Sequence, residues 1–422
     1  VKKKAWLLFL AVIMIVAAIG FSETITLKLW TAPNPNQNLF WKTLVPQFEK
    51  THPNIKIKWS QIPAAGSSEE AILTAIASNR QPDICTNIFS GFAAELISSK
   101  AIVPLDSFAG FEELVKARDM SNVIKKWEYN GHYYVLPIYV NPMLVWWRKD
   151  ILEKYGFKEP PRTYSQIYEL AKKVVIPHKR YAYQAVTGVN WWDRWFDFIT
   201  DYYAASGGKP YIYPEKQVAV FNNEYGKEVA NFIYTLFKNH YTAVDLGNLP
   251  FYNGAVVGMI MGPWSIPYAQ KQFPNILKND VAVTPPPVPD NYPKDKPVYT
   301  FADTKGMIIF SSSKHKEAAW EFMKWVYSNP EHDVLWIKLT QMPPAREDLL
   351  SNKLFAPYLK DPVFAAYAKY VPYAIPTALS AKTVSIQQAM TNKLIEPLMY
   401  LKTTPEKALN DAVAAVNDVL FQ

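Results

Sequence analysis

Hydrophobic and polar positions alternate strictly over Ile25-Thr26-Leu27-Lys28-Leu29-Trp30, the period-2 pattern of a half-buried strand, and the run ends on the turn-rich Thr31-Ala32-Pro33-Asn34-Pro35-Asn36. A second alternation covers Ile55 to Trp59, after a segment of helical character that Pro46 is expected to break. Strands spaced by helix-length segments predict parallel β-α-β units. Ser67 and Glu70 form a capping box that opens a helix through Ile72, Leu73 and Ile76. Asn79-Arg80-Gln81-Pro82 ends that helix, and Ile84 to Ile88 reads as the next strand. The run Tyr133 to Val140 leads into Leu144-Val145-Trp146-Trp147, with Asn141-Pro142 expected to interrupt it where the chain passes between lobes.

Thr163 and Gln166 form another capping box, and Ile167, Leu170, Ala171 and Val174 follow on one helical face. Val256 to Met261 is a buried-strand pattern ending at Gly262-Pro263-Trp264. Thr284 to Pro297 holds six prolines, which predicts a surface loop. Ala319, Phe322, Met323 and Val326 share a helical face, with Trp320, Trp325 and Trp336 reading as packing. The last helix is the clearest: Thr404 caps it, Pro405 takes its first position, and Leu409, Ala412, Val413, Val416 and Leu420 line one side. Elements that alternate throughout predict an α/β architecture whose lobes exchange chain several times.

Length changes the picture next. At 422 residues, 49% of them hydrophobic, the chain exceeds one ordinary domain, and two lobes are the default expectation. Residues 1–22 have the layout of a secretory signal: Lys2, Lys3 and Lys4, an apolar run from Ala5 to Ile19, then Gly20 and Ser22 as cleavage positions. A retained anchor is the alternative, although the run is shorter than the roughly 20 residues that span a bilayer. Cys85, the single cysteine, leaves no internal disulfide and reads as a buried small side chain. No cysteine follows the signal segment to carry a lipid, so a soluble periplasmic protein is expected.

Net charge is +8, and removing the three signal lysines leaves +5, scattered rather than striped, which argues against nucleic acid as a partner. Motifs for dinucleotide, triphosphate, zinc-protease and serine-hydrolase chemistry are absent from the sequence. The six histidines lie far apart, so neither a metal nor another cofactor is expected. A glycosidase needs only two facing carboxylates, and Asp193, Asp197 and Asp303 stand in aromatic or strand-end settings, so hydrolysis is the enzymatic alternative. Aromatic residues are the informative excess, at 15% with 14 Trp and 26 Tyr. Indole packs well on the C–H face of a sugar ring.

The order of landmarks resembles the extracellular solute-binding proteins of the maltose-binding type. The pieces are Phe48-Glu49-Lys50-Thr51-His52-Pro53-Asn54-Ile55, Gln81-Pro82-Asp83-Ile84, Gly131-His132-Tyr133-Tyr134-Val135-Leu136-Pro137, and Trp147-Arg148-Lys149-Asp150. Gly262-Pro263-Trp264, Met342-Pro343-Pro344-Ala345-Arg346 and the closing Thr404-Pro405 helix complete the set, which spans nearly all of the chain from Ile25 onward. The resemblance implies a two-lobed periplasmic binding protein fold, type II-like, with crossing hinge segments. It places lobe one at 23–138 and 302–345, and lobe two at 139–301 and 346–422. It implies a non-enzymatic sugar or oligosaccharide binder that serves the permease subunits of an ABC importer, and a monomer is expected. A surface carbohydrate adhesin is a third reading.

The resemblance also transfers positions. Trp264 matches an indole that stacks on sugar, Tyr139 and Asn141 lie on a crossing segment, and Trp30 and Asn34 flank the cleft mouth. Trp191, Trp192 and Trp195 offer another platform, not all on one helical face. Asp83, Asn87 and Tyr373 complete the candidates, with Asp303 and Lys305, which stand where relatives often carry paired glycines. Arg194 is expected to pair with Asp193 or Asp197.

Overall fold

The computed structural model describes residues 24–63, 67–185 and 196–422 in full, and for 191–195 only the helical backbone. The segment read as a signal peptide lies outside these residues.

Two sheets organise the chain. The first has the order Ala374–Ile375, Thr300–Ile309, Ile84–Ile88, Ile25–Thr31, Ile55–Gln61, and Leu136–Pro142 also pairs with Thr300–Ile309. Ile25–Thr31 runs parallel to both Ile55–Gln61 and Ile84–Ile88, as β-α-β units require, whereas Thr300–Ile309 returns antiparallel. The second sheet has the order Val281–Thr284, Leu144–Arg148, Val256–Met261, Tyr181–Tyr183.

Each sheet is covered on both faces. Leu27, Leu29, Ile84 and Ile309 pack under the helices Pro35–Thr51 and Lys316–Ser328, while Cys85, Ile308 and Phe310 pack on the other side with Ile72 and Phe92. In the second sheet the pleat sends Val145 and Trp147 to one core and Leu144 and Trp146 to the opposite one. Trp320 and Trp336 are buried as expected, and Trp325 is partly covered.

The chain passes from the first sheet to the second at Met143 and returns through residues 285–299. After residue 345 it does not go over to the second lobe at once. Leu349, Phe355, Phe364 and Val371 fill the first-lobe core, while Val363 and Tyr367, on another face of the helix Pro362–Tyr370, fill the second-lobe core. From the helix Thr383–Met390 onward the core side chains are second-lobe, through Ile386, Met390, Leu409 and Val416, while Thr383 itself still touches Gly91 of the first lobe.

Both capping boxes form, with Ser67 and Thr163 at the N-caps, and Thr404 caps the final helix. One expectation about proline is corrected. Pro46 does not break its helix, which runs from Pro35 to Thr51. The carbonyl that loses its partner belongs to Lys42, and Pro46 and Lys42 are both on the exposed face, where water replaces the bond. Asn141-Pro142 does close the run where the chain crosses: the strand Leu136–Pro142 ends there, the next begins at Leu144 in the other sheet, and Pro142 stands opposite Ala302, where a missing N–H costs no ladder bond. Gly306 sits where the register shifts, and a side chain there would meet the Val135 side chain and stand 2.7 Å from the Leu136 carbonyl oxygen.

Candidate functional site

The crossing ladder collects four of the candidate residues. Its register pairs Asn141 with Asp303 and Tyr139 with Lys305. Residues two apart on a strand share a face, so all four side chains leave the ladder on one side. Tyr139 is buried there, its ring stacked on Trp336 at 5.7 Å between centroids. Burial and the neighbouring Asp303 carboxylate push its phenol well above the usual range, against a hydrogen bond with Gln37. Asn141 is fully buried, and its amide reaches Asp303 Oδ2 at 3.5 Å and Met342 Sδ at 3.3 Å. Among the described residues its Oδ1 and that of Asn38 find no donor, and the Nε1–H groups of Trp41 and Trp336 find no acceptor. Asp303 and Lys305 are half-buried.

Other candidates are tied into the frame. Asn34 is a helix N-cap, its Oδ1 accepting from Asn36 N at 3.0 Å and Gln37 N at 3.1 Å. Asp83 precedes its strand, at the amino end of the parallel set and therefore away from the loops that follow the strands. Its carboxylate accepts from Lys28 N at 2.8 Å and Ser313 Oγ at 2.5 Å. Asn87 adopts φ 67°, a left-handed conformation that asparagine tolerates better than most residues, and donates to Ser68 Oγ at 3.0 Å. Trp30 is half-buried against the core that holds Cys85 and Phe92. Tyr373 is half-buried in the third crossing, edge-on to Tyr299 and near Tyr370.

In the second lobe, Trp264 follows the strand Val256–Met261 and is 44% exposed. Its ring lies flat against Gly262, where any side chain would collide with it. The strand end beneath is fixed by Tyr367, whose hydroxyl donates to the Met261 carbonyl at 2.7 Å and accepts from Trp146 Nε1 at 2.8 Å. Trp264 and Tyr268, four residues apart on one helical face, border a pocket of about 370 Å3 with Tyr252, Met259 and Met261. The pocket is lined almost wholly by carbon, which suits the flat face of a ring.

Residues 32–332 of the chain match the family described as bacterial extracellular solute-binding protein. The chain belongs to this family. Among solved structures, this solute-binding protein is similar to an uncharacterized protein from Listeria monocytogenes EGD-e, with 36% identity, a TM-score of 0.87 and coverage of 94% of this chain and 100% of the other. It shares its fold with the sugar-binding protein MalE from Xanthomonas citri, with a TM-score of 0.79, 18% identity, and coverage of 94% and 97%. A maltotriose-binding protein of Pyrococcus abyssi is 26% identical over 82% of this chain and 71% of its own length. The two-lobed α/β fold expected from the sequence is therefore the fold of the solute-binding protein.

The side chains of Trp191, Trp192, Asp193, Arg194 and Trp195 lie outside the described residues. Of the carboxylates weighed for hydrolysis, Asp197 is buried in the second-lobe interior beside Asp201, whose carboxyl is pushed well above its usual range by burial and by Asp197. Asp303 instead lies on the crossing ladder. Gln37, Asn38, Gln184 and Tyr268 were not singled out from the sequence. Gln184 has a buried Oε1 without a partner among the described residues, just past the strand Tyr181–Tyr183. That strand runs parallel to Val256–Met261, so Gln184 and Trp264 both follow carboxyl ends of strands at the same end of the sheet. Isolated amides of this kind carry no periodic signal; only the strand ends gather them.

Proposed function

We propose that this protein is the substrate-binding component of an ABC importer and holds a sugar or short oligosaccharide between its lobes. The observation that carries the reading is the half-exposed indole of Trp264, laid flat on Gly262 at a strand end, beside a carbon-lined pocket. On the crossing ladder stands a buried amide oxygen, that of Asn141, with no donor among the described residues. Buried polar atoms left unpaired cost about 1–3 kcal/mol each, and a ligand hydroxyl donating to Asn141 removes that cost. The stacked ring and the polar ladder together match the amphipathic surface of a pyranose. The sugar-named relatives support the same class.

In this reading Asp303, Lys305 and Asn141 present acceptors and donors to hydroxyls. Trp264 carries the ring face, and Trp191, Trp192 or Trp195 supplies a second platform. Tyr139, Asn34 and Asn87 hold those groups in place, Asp83 ties down the far, amino end of its strand, and Trp30 and Tyr373 border the cleft. The lobes meet at Met143, at residues 285–299 and after Ala374, so bending is concentrated there. Ligand bridging both lobes adds contacts that exist only in the closed form and shifts the population toward it. The permease recognises that closed monomer, and the amino-terminal segment directs the chain out of the cytoplasm.

Titration calorimetry of the full chain against glucose, maltose, maltotriose and longer maltooligosaccharides tests this, with a tripeptide and zinc as controls. Dissociation constants below millimolar for at least one saccharide are expected. Binding of the tripeptide or zinc with no saccharide better than millimolar overturns the carbohydrate reading. Chromatography of maltotriose after incubation with the protein is expected to return it uncut; cleavage products would establish the hydrolase instead.

A further inference from the structure

The pocket beside Trp264 has a chemistry that a bare sugar does not match. Trp264 and Tyr268 stand at its rim, 44% and 45% exposed, so it opens to solvent and is not a packing defect sealed inside the lobe. Met259 and Met261 come from the strand Val256–Met261, and Leu249 lines the pocket from φ 50°, a left-handed conformation that a leucine takes at a cost. Tyr252 is stacked on Phe273 at 4.2 Å between centroids and stands edge-on to Tyr268 at 6.1 Å. Its hydroxyl is the one buried side-chain polar atom of the lining without a partner among the described residues. Burial, with Tyr268 beside it, pushes that phenol up to about 12, so it stays protonated and can donate.

A pyranose carries hydroxyls around its edge, and each one pressed against carbon gives up water without gaining a partner. An aromatic ring has no such loss. It packs on the faces and edges of Trp264, Tyr252 and Tyr268, and methionine sulfur favours the edge of a ring. Cavities of about 150 Å3 already hold benzene, so about 370 Å3 has room for a substituted ring. We propose that this pocket takes the aromatic aglycone of an aryl glycoside, with one acceptor on that ring for the Tyr252 hydroxyl, while the sugar lies on Trp264. Trp264 thus belongs to both halves of the site, as a platform for the sugar and as a wall for its substituent. The proposal rests on the carbohydrate reading and narrows it: within the saccharides, those that carry an aromatic group are the preferred ligands.

Titration calorimetry of the full chain compares the methyl and p-nitrophenyl α-glycosides of glucose and of maltose, which within each pair differ only in the aglycone. In at least one pair the p-nitrophenyl glycoside is expected to bind about tenfold tighter or more. Tyr268→Ala removes a half-exposed ring and leaves the core intact, and Met259→Gln puts an amide into the pocket at nearly constant volume. In each variant the ratio of the two affinities, measured on the same protein, should fall to about twofold or less. A general structural effect of either change would weaken both ligands alike and leave the ratio where it was. Equal affinities in both pairs overturn this proposal and leave the carbohydrate reading standing. A ratio that survives both variants overturns it too, since the aryl group would then sit elsewhere. Failure of all four glycosides to bind better than millimolar does the same, and the plain saccharides titrated alongside show whether the carbohydrate reading falls with it.

Discussion

Removing the charge of Asp333 should be among the most damaging single changes in this protein. Arg118 is fully buried, and its Nη2 lies 3.0 Å from Asp333 Oδ1, while Arg346 Nη1 lies 3.2 Å from Asp333 Oδ2. Arg118 also donates to the Pro137 and Ile138 carbonyls, and the ring of Tyr327 lies 4.4 Å from its guanidinium carbon. Arg346 retains a second anion, Asp348, at 2.8 Å, but among the described residues Arg118 has no other. Asp333→Asn keeps the shape and leaves Arg118 as an uncompensated buried cation. Breaking a buried pair in this way costs about 3–5 kcal/mol. For a cooperative unit of about 150–250 residues that corresponds to a fall in midpoint of roughly 6–20 °C, read by differential scanning calorimetry. Arg118→Met on the Asp333→Asn background removes the orphaned charge and should cost clearly less than the two single losses added together. A single variant within about 1 kcal/mol of the unaltered chain, or strict additivity in the double, would refute the reasoning.

Trp264→Ala should weaken saccharide binding by about tenfold, roughly 1.4 kcal/mol of stacking, and leave the melting midpoint nearly unchanged because the ring is 44% exposed; calorimetry reads both. Tyr367→Phe leaves Trp146 Nε1 and the Met261 carbonyl unpaired and should cost about 1–3 kcal/mol in urea unfolding. Burial pushes the Lys126 amine down to about 8, with Glu347 opposing. Between that value and the unfolded value of about 10.4 the unfolded chain binds more protons, so this group's contribution to stability should grow with rising pH. An amine that titrates above 10 by NMR would contradict that. Burial alone would raise the Asp348 carboxyl, but the hydrogen bonds and charge of Arg346 outweigh it and hold the group below its ordinary value. Its contribution is present above the unfolded pKa of about 3.9 and is lost as pH falls through the folded one, so Arg346→Met should move acid unfolding to higher pH.

Sequence by itself determined what depends on neighbours along the chain. The alternation over Ile25–Trp30, the capping boxes at Ser67 and Thr163, the buried run Val256–Met261 and the Thr404-Pro405 helix start all form, because period and capping are satisfied within a few residues. Trp264 is exposed as expected, since the preceding strand end and Pro263 are local too. What the tertiary structure decided depends on register and on partners far away in sequence. Whether Pro46 breaks a helix turned on which face met water. Tyr139, Asn141, Asp303 and Lys305 share a face only because two strands some 160 residues apart in the chain pair in one register. The commitment of Asn34 and Asp83 to backbone donors, the orphaned oxygens of Asn141 and Gln184, and the touch of Gly91 on Thr383 arise from the same cause. Long-range pairing places these groups, and short-range pattern does not encode it.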